Sequence, residues 1–239
     1  MITKKEIQNA YAIISSDIKK TPLVYSKRLS EISGANVYLK MEQLQHTGSF
    51  KIRGVLNKMS TITDFNKTFV AASTGNHAAA FGLASSKFGF KGVLFLPEHT
   101  PKVKLDALVE YPIEKRLYGT NSVATERKAR SYANDIDGIL IHPYNDRDII
   151  MGQGTVSIEI EAQLPEVDSI LVPIGGGGLA AGICSYFKGN KKVSITGCQP
   201  KHASEMYDSI LQNRIIEPSA LTTIADAAAG GIEKKCHHF

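Results

Sequence analysis

The sequence predicts an α/β fold in which two open, mostly parallel sheets carry helices on both faces. Helical and strand-like patterns alternate almost from end to end of the 239 residues, which is the order that parallel sheets covered by helices require. A block of four strand-like runs forms a compact unit, and the pattern then restarts at Gly152. We therefore expect a small α/β domain at 68–147, inserted between two parts of a larger domain at 1–67 and 148–239.

The N-terminal part predicts a helix, a strand and a bend that leads into a second helix. The first helix begins with the capping box Thr3-Lys-Lys-Glu6. Its apolar positions follow the helical period: Ile7, Tyr11, Ile14 and Ile18. The alternating segment NVYLKM predicts a strand, and the stretch TGSFKIRG then brings Lys51 to the start of the next helix.

The small domain is predicted from strands that alternate with helices. Gly89 ends its first helix and Pro101 opens its second. Its strand-like runs are 69–73, 92–97, 114–118 and 138–143, with helical segments near 76–88, 101–110 and 122–134. After it we expect a helix at 154–163, a strand at 169–174, a helix at 179–188, a strand at 192–198 and two further helical segments, the first at 202–212.

Composition and charge exclude several classes of protein. The chain is 43% hydrophobic and 21% charged, and no apolar run is long enough to span a bilayer. The N-terminus lacks the apolar core and cleavage site of a secretory signal, so we expect a cytoplasmic protein without membrane contacts. The net charge of +5 is scattered along the chain, whereas nucleic-acid binding usually requires a basic block.

The three cysteines do not indicate a disulfide framework or a zinc site. Cys184, Cys198 and Cys236 are odd in number and have no CxxC spacing. We expect reduced thiols, with Cys184 packed in the core. His46 and His142 are expected to be local hydrogen-bonding groups, because no Ser/His/Asp set surrounds them in any motif.

The clearest chemical motif is PIGGGGLAAG, residues 173–182. Four glycines between a strand and a helix leave no side chains in the way, so backbone N–H groups can converge on an anion at the positive end of the helix. A tight turn would explain one or two of these glycines but not four. Because the loop matches neither GxxxxGK[ST] nor GxGxxG, a singly phosphorylated cofactor is favoured over a nucleotide.

Two further segments become informative beside this phosphate motif. STGNHAAA, residues 73–80, follows a strand and opens a helix, so it predicts either a carboxylate cradle or a simple cap formed by Ser73 or Asn76. Lys51 alone would be a solvated charge. A lysine held in a partly apolar pocket, however, loses basicity and can act as an imine-forming nucleophile.

A phosphate cradle, a carboxylate cradle and a buried lysine together describe a pyridoxal phosphate enzyme that acts on an amino acid. The sequence resembles the fold-type II pyridoxal phosphate enzymes, whose fold is like that of the tryptophan synthase β subunit. Within them it is similar to threonine/serine dehydratases and serine racemase. The resemblance rests on KMEQLQHTGSFKIRG, STGNHAAA, MGQGT, PIGGGGLAAG and TIAD, in the family's order and over nearly the whole chain.

The resemblance implies a role for each motif residue. Lys51 would form the imine with the cofactor pyridoxal 5′-phosphate and move the substrate α-proton, while Phe50 packs near the cofactor ring. Asn76 would bind the 3′ oxygen of the cofactor. The substrate carboxylate would be bound by Ser73, Thr74, Gly75, Asn76 and His77. The phosphate would be held by Gly175, Gly176, Gly177, Gly178 and Leu179.

The sequence departs from the family pattern at three places. At the position of Thr74, racemases usually carry a serine that exchanges a proton with the substrate, so Thr74 is a catalytic candidate in which an added methyl group disfavours racemisation. Gln199 replaces an acidic metal ligand, which leaves Ala203 and Glu205 only as weak metal candidates, and we expect no metal. The chain also stops early, with Cys236, His237 and His238 in an aberrant tail, so the larger domain is expected to be incomplete.

The expected function is β-elimination from L-threonine or L-serine to give a 2-oxo acid and ammonia, in a homodimer or other homo-oligomer. The alternatives are serine racemisation, dehydration of another hydroxy amino acid, and an inactive truncated chain that only binds the cofactor.

Overall fold

The computed structural model describes residues 1–216, 223–228 and 231–232. The helices are α1 (Lys4–Ile14), α2 (Lys27–Ser33), α3 (Lys51–Ser60), α4 (Asn76–Phe88), α5 (Lys102–Asp106), α6 (Ser122–Asp135), α7 (Arg147–Gly154), α8 (Val156–Gln163), α9 (Gly178–Phe187) and α10 (Glu205–Gln212). The strands are β1 (Leu23–Tyr25), β2 (Tyr38–Lys40), β3 (Phe69–Ala72), β4 (Gly92–Leu96), β5 (Ile113–Leu117), β6 (Ile139–Leu140), β7 (Ser169–Pro173) and β8 (Ser194–Cys198). Two 3₁₀ turns lie at Glu42–Leu44 and Asp226–Ala228.

The strands form two parallel sheets and one short antiparallel pair. The larger parallel sheet has the order β5-β4-β3-β6, and β7 pairs with β8 in the second. Strands β1 and β2 pair antiparallel in a separate two-stranded sheet. The α/β class and its parallel sheets are therefore as the sequence predicts. Strand β1 was not predicted.

The four-stranded sheet is covered on both faces. On one face Phe69, Ala71 and Leu94 pack into the main apolar core with α3 and α4. On the other face Val70 and Val93 pack against α6. The side chains of a strand alternate between the two faces of its sheet. This burial on both sides explains why β3 and β4 appear in the sequence as continuous apolar runs.

Several predicted elements agree with the structure in detail. Helix α1 begins with the complete capping box, in which the Thr3 side chain accepts from Glu6 N and the Glu6 side chain accepts from Thr3 N. Helix α4 ends at Gly89, whose φ of 69° is left-handed. Within the described residues, no helix is both long and apolar enough to cross a membrane.

Two expectations are corrected. The helix predicted at 154–163 is the second of two helices, because α7 precedes it and begins where the Asp146 side chain accepts from Asp148 N and Ile149 N. Cys184 is exposed and is not packed in the core. Its position is ~200° around α9 from Gly182, so it lies opposite the helix face that contacts α7.

Helices α3, α7 and α9 cross at unusually close range through glycines. A Cβ atom on Gly152 would lie 2.5 Å from the Arg53 carbonyl oxygen of α3. A Cβ atom on Gly182 of α9 would lie 2.6 Å from Gly154 N and 2.6 Å from the Ile150 carbonyl oxygen. Real Cβ atoms do not approach backbone this closely, so both contacts require glycine. The motif MGQGT thus has a packing function at the centre of the fold.

We expect Gly182→Ala to lower the free energy of unfolding by about 1–3 kcal/mol, because the added methyl group forces α9 away from α7. This overpacking outweighs the better helix propensity of alanine, which is about 1 kcal/mol. Urea unfolding measures the change. Cys184→Ala on the exposed side of the same helix is the control and should stay within about 0.5 kcal/mol of the unmodified chain. Equal stability of the two variants would contradict the close crossing.

Candidate active site

Lys51 is the first residue of α3 and its amine points into the protein. The preceding bend contains Gly48 with φ 70°, and the Ser49 hydroxyl accepts from the Lys51 backbone N at 3.4 Å. Lys51 Nζ donates to the Pro143 carbonyl oxygen at 2.8 Å. The centroid of the half-buried Phe50 ring is 5.3 Å from the same Nζ. The amine is therefore held between an aromatic ring and a main-chain carbonyl group.

Burial weakens the basicity of this amine. It lowers the Lys51 pKa from 10.5 to about 8, because an ammonium group loses hydration when it leaves water. Among the described residues, no carboxylate forms an ion pair with Lys51 to restore its charge. A substantial fraction of the amine is therefore neutral near physiological pH, which is the form that attacks an aldehyde.

A buried charge network fixes the same helix two residues further on. Arg53 is fully buried and donates to both carboxylate oxygens of Glu42 at 2.8 Å. It also donates to Glu159 Oε1 at 2.8 Å, and Lys40 Nζ donates to Glu159 Oε2 at 2.6 Å. The network joins α3 to β2, to the 3₁₀ turn that follows β2, and to α8. Because the partners are mutually paired, the buried charges compensate one another.

The four glycines Gly175–Gly178, here called the glycine loop, lead from β7 into the first residue of α9, and each has its own local role. Gly177 has φ 88° and precedes the first residue of α9. A Cβ atom on Gly176 would collide with the Tyr144 ring, and one on Gly178 would lie 2.8 Å from the Tyr144 carbonyl oxygen. Gly175 has more space, since its Cβ atom would be 3.4 Å from the Ala228 carbonyl oxygen. Packing against Tyr144 therefore accounts for two glycines that the sequence argument assigned to anion binding.

The loop can still offer donors to an anion. Residues in the first turn of a helix have N–H groups without an intrahelical acceptor, and Leu179 lies in the first turn of α9. Among the described residues, no side-chain hydrogen bond caps the start of α9. The geometry is thus compatible with a phosphate at this helix start.

The segment Ser73–His77 connects the end of β3 to α4. Gly75 is the N-cap residue of α4 and no side chain caps this helix. The Ser73 hydroxyl instead accepts from Gly75 N at 3.3 Å, so the simple capping alternative is not what the structure contains. Thr74 is half-buried, and Gly75 and Asn76 are exposed. The segment therefore presents its polar groups at the carboxyl end of the sheet, where open α/β sheets bind ligands.

The side chain of His77 turns inward, away from this exposed segment. It is 2% exposed and its Nε2 lies 2.9 Å from the Ile141 carbonyl oxygen. A carbonyl oxygen only accepts, so Nε2 carries the proton and Nδ1 has a free lone pair. Burial, and then the nearby charge of Lys51, lower the His77 pKa to about 3. His77 is therefore neutral, and only its backbone N–H remains for an anion at the helix start.

Sequence reasoning missed Pro143 and Tyr144, which lie in the turn after β6. Pro143 contacts the lysine amine and Tyr144 contacts the glycine loop. His142 was expected to be a local hydrogen-bonding group, and the structure agrees: its Nδ1 accepts from Asn145 N at 2.8 Å. The rule that ligands bind at the carboxyl ends of parallel strands would have found this turn if applied to β6.

The metal candidates do not assemble into a site among the described residues. Gln199 Oε1 accepts from Tyr207 N at 3.0 Å, and both Ala203 and Glu205 are buried. In the part of the chain that the structure describes, no group of three or more His, Cys, Asp or Glu side chains is suitably placed for a metal ion. Cys236, His237 and His238 lie outside the described residues.

The residues present fit a phosphorylated aldehyde. Lys51 supplies an amine of lowered pKa, and the glycine loop supplies a helix start that no described side chain caps. Thr47 Oγ1, in the stretch that leads to Lys51, is a buried polar atom without a hydrogen-bond partner among the described residues. Buried polar atoms are rarely left unpaired in folded proteins, so this hydroxyl favours a polar ligand nearby.

Comparisons with known proteins give a consistent result. A family model described as pyridoxal-phosphate dependent enzyme matches residues 14–237. The chain is 35% identical over 232 residues to an L-threonine ammonia-lyase of Thermotoga maritima, covering 96% of this chain and 58% of that protein. It is 36% identical over 230 residues to a catabolic L-threonine dehydratase of Staphylococcus aureus, covering 95% of this chain and 66% of that protein.

A solved structure is similarly close. Maize serine racemase matches with a TM-score of 0.91 and 31% identity, covering 99% of this chain and 73% of that chain. The resemblance expected from the sequence motifs is thereby confirmed. The chain spans between 58% and 66% of the length of the two curated relatives.

The lowered pKa of Lys51 predicts unusual reactivity. The amine is protonated below its pKa of about 8 and neutral above it. Its acetylation by limiting acetic anhydride should therefore rise around pH 8 and change little above pH ~9, where a group of this pKa is about 90% neutral. Peptide mass spectrometry measures the rate, with the exposed Lys20 as the internal standard for the reagent. A rate for Lys51 that still climbs steeply between pH 9 and 10.5 would contradict the lowered pKa.

Proposed function

We propose that this chain, which belongs to the pyridoxal-phosphate dependent enzyme family, acts on a small hydroxy amino acid such as L-threonine or L-serine. The reaction is β-elimination, which releases a 2-oxo acid and ammonia. The observation that carries the proposal is the Lys51 amine, whose pKa is lowered to about 8 and which donates a hydrogen bond to the Pro143 carbonyl oxygen. The likeness to a threonine ammonia-lyase and a threonine dehydratase supports this reaction type.

The cofactor of the family is pyridoxal 5′-phosphate, as the motifs predicted. When bound, it supplies an aldehyde for the lysine and a ring that stabilises negative charge at the substrate α-carbon. We assign Lys51 to bind the aldehyde, to be freed when the substrate amine would take its place there, and then to take the α-proton at Nζ. Gly175, Gly176, Gly177, Gly178 and Leu179 would hold the phosphate through backbone N–H groups.

The remaining site residues have positioning roles in this proposal. Phe50 would pack near the cofactor ring, and Asn76 would donate to its 3′ oxygen. The segment Ser73–His77 would bind the substrate carboxylate and so aim the Cα–H bond at Lys51. The α-proton would go to Lys51 Nζ, and the β-hydroxyl would leave as water with a proton that the same amine returns. The released enamine would take a proton from water at its β-carbon, and hydrolysis of the resulting carbon–nitrogen double bond gives the 2-oxo acid and ammonia.

Serine racemisation is the second candidate. The likeness to maize serine racemase favours it, as does the presence of a hydroxyl side chain at Thr74, a half-buried residue near the start of the substrate loop. Racemisation needs a proton donor on the substrate face opposite Lys51, and a threonine hydroxyl provides one. The branched side chain of threonine is stiffer at χ1 than that of serine, which disfavours a mobile hydroxyl. Elimination therefore remains the preferred reaction.

The proposal also covers the division into domains, the oligomeric state and the cellular location. We assign 68–147 to a small domain and 1–67 with 148–239 to a larger one; the four-stranded sheet, which lies wholly within the first range, supports this division. We also propose a homodimer or other homo-oligomer, and a cytoplasmic location. Both fit a metabolic enzyme of this kind.

Reduction by borohydride tests the assignment of Lys51. After incubation with pyridoxal 5′-phosphate, reduction should leave a phosphopyridoxyl group on the peptide that contains Lys51, because the reduced carbon–nitrogen bond is permanent. Mass spectrometry of a digest locates the group, and a Lys51→Arg variant is the control that should lose it. A label at another lysine, or equal labelling of the variant, would refute the assignment.

Substitution of Thr74 tests the balance between the two reactions. With L-serine, Thr74→Ser should raise the ratio of D-serine to pyruvate by about tenfold or more, since a positioned acid or base contributes about 10²–10⁴ in rate. Thr74→Val has nearly the same shape as threonine without the hydroxyl, so D-serine should fall while pyruvate persists. Chiral chromatography and a 2-oxo acid assay measure the products. An unchanged ratio in Thr74→Ser would contradict the role of the methyl group.

A further inference from the structure

The turn His142–Asn145 contacts both halves of the candidate site. The Pro143 carbonyl oxygen accepts from Lys51 Nζ at 2.8 Å. The next residue, Tyr144, lies against the glycine loop, because a Cβ atom on Gly176 would collide with its ring. A Cβ atom on Gly178 would lie 3.0 Å from the Tyr144 Cα and Cβ atoms. Two consecutive residues of one turn therefore touch the lysine and the loop.

His142 holds this turn in a single shape. Its Nδ1 accepts from Tyr144 N at 3.2 Å and from Asn145 N at 2.8 Å, so Nδ1 carries no proton. Its Nε2 donates to Glu126 Oε1 of α6 at 3.0 Å. The rings of His142 and Tyr144 meet edge to face, with centroids 4.6 Å apart. The backbone of the turn is thus hydrogen-bonded to the buried His142 side chain, and that side chain is hydrogen-bonded to α6.

The Tyr144 side chain has a second packing contact. It packs against an apolar cluster that contains Met206 of α10 and Ile232, with Ile174 beside it. The ring therefore fills the space between this cluster and the glycine loop. Movement of the ring would open a gap next to Gly176.

The glycine loop has no side chains of its own that could fix its shape. Glycine has the widest conformational freedom of all residues, and four in succession carry no side chains with which to pack. When the conformation that binds a ligand is populated for only a fraction of the time, the apparent affinity is the intrinsic affinity multiplied by that fraction. A rigid surface against the loop therefore raises its affinity for an anion without touching the anion.

We propose that Tyr144 is a positioning residue, which fixes the shape of the glycine loop and, through Pro143 in the same turn, its spacing from Lys51. The proposal rests on the proposed function in one respect, because the spacing matters for a ligand that carries both an aldehyde and a phosphate. The part that concerns the loop applies to any phosphate anion. Inorganic phosphate therefore tests it separately from the cofactor.

The experiment compares Tyr144→Ala and Tyr144→Phe with the unmodified chain. Tyr132→Ala is the matched control, since Tyr132 is a partly buried tyrosine of α6 that packs against Phe95. Binding of inorganic phosphate is measured from the rise in melting temperature at constant ionic strength. Binding of pyridoxal 5′-phosphate and of pyridoxal, which lacks the phosphate, is measured from the visible absorbance of the lysine imine.

Tyr144→Ala should bind inorganic phosphate and pyridoxal 5′-phosphate about tenfold more weakly or worse, which corresponds to the loss of about one charge-assisted hydrogen bond. Its affinity for pyridoxal should change by less than about twofold, because that ligand does not use the loop. Tyr144→Phe and Tyr132→Ala should bind all three ligands as the unmodified chain does. Tyr144→Leu retains apolar contact with Met206 and replaces Tyr144→Ala if the alanine variant does not fold.

Two results would overturn the proposal: unchanged phosphate binding in Tyr144→Ala, or an equal loss of phosphate and pyridoxal binding. Absence of phosphate stabilisation in the unmodified chain would overturn it as well. If the proposed function were wrong, the experiments would give a different result. In that case pyridoxal 5′-phosphate would leave Lys51 unlabelled, while inorganic phosphate binding would still depend on Tyr144.

Discussion

The close crossing of α3, α7 and α9 determines where the chemical groups of this protein lie. Lys51 is the first residue of α3 and the glycine loop precedes α9, so the distance between them depends on how tightly each helix packs against α7. Gly152 allows α3 to approach, and Gly182 allows α9 to approach. Such contacts leave little freedom for sliding, because backbone atoms of neighbouring helices meet directly.

The buried charges of α3 fix the remaining freedom of that helix. Contact through glycines determines the distance between α3 and α7. It supplies few interlocking side chains that would prevent α3 from rotating about its own axis. Arg53 does so, since its guanidinium group is paired with Glu42 on one side and Glu159 on the other. Buried ion pairs add little net stability, yet an arginine forced out of this arrangement would take a cationic partner away from both Glu42 and Glu159 and would leave Glu159 with Lys40 alone. Rotation of α3, which would displace Lys51, is therefore strongly disfavoured.

The sequence predicted well the elements whose signals are local. Helix α4 has the predicted bounds because Gly89 ends it, and β3 and β4 appear as apolar runs because both of their faces are buried. Helix α7 was missed because two glycines lower its intrinsic helix propensity, although the same glycines form its tertiary contacts. The contact of Tyr144 with Gly176 joins separate parts of the chain. No periodicity or motif could have indicated it.

The glycine loop shows that a sequence motif alone can overstate the evidence for a bound anion. Four glycines appeared to exceed the needs of a turn, but Gly176 and Gly178 are required by the bulk of Tyr144 and Gly177 by its backbone angle. The argument for an anion therefore rests on the start of α9, which no described side chain caps, and no longer on the number of glycines. The lowered pKa of Lys51 arises from burial and does not depend on the loop. The Lys51 amine and the start of α9 are thus independent features, and both lie against the turn that contains Pro143 and Tyr144. Together they support a cofactor more strongly than the number of glycines does.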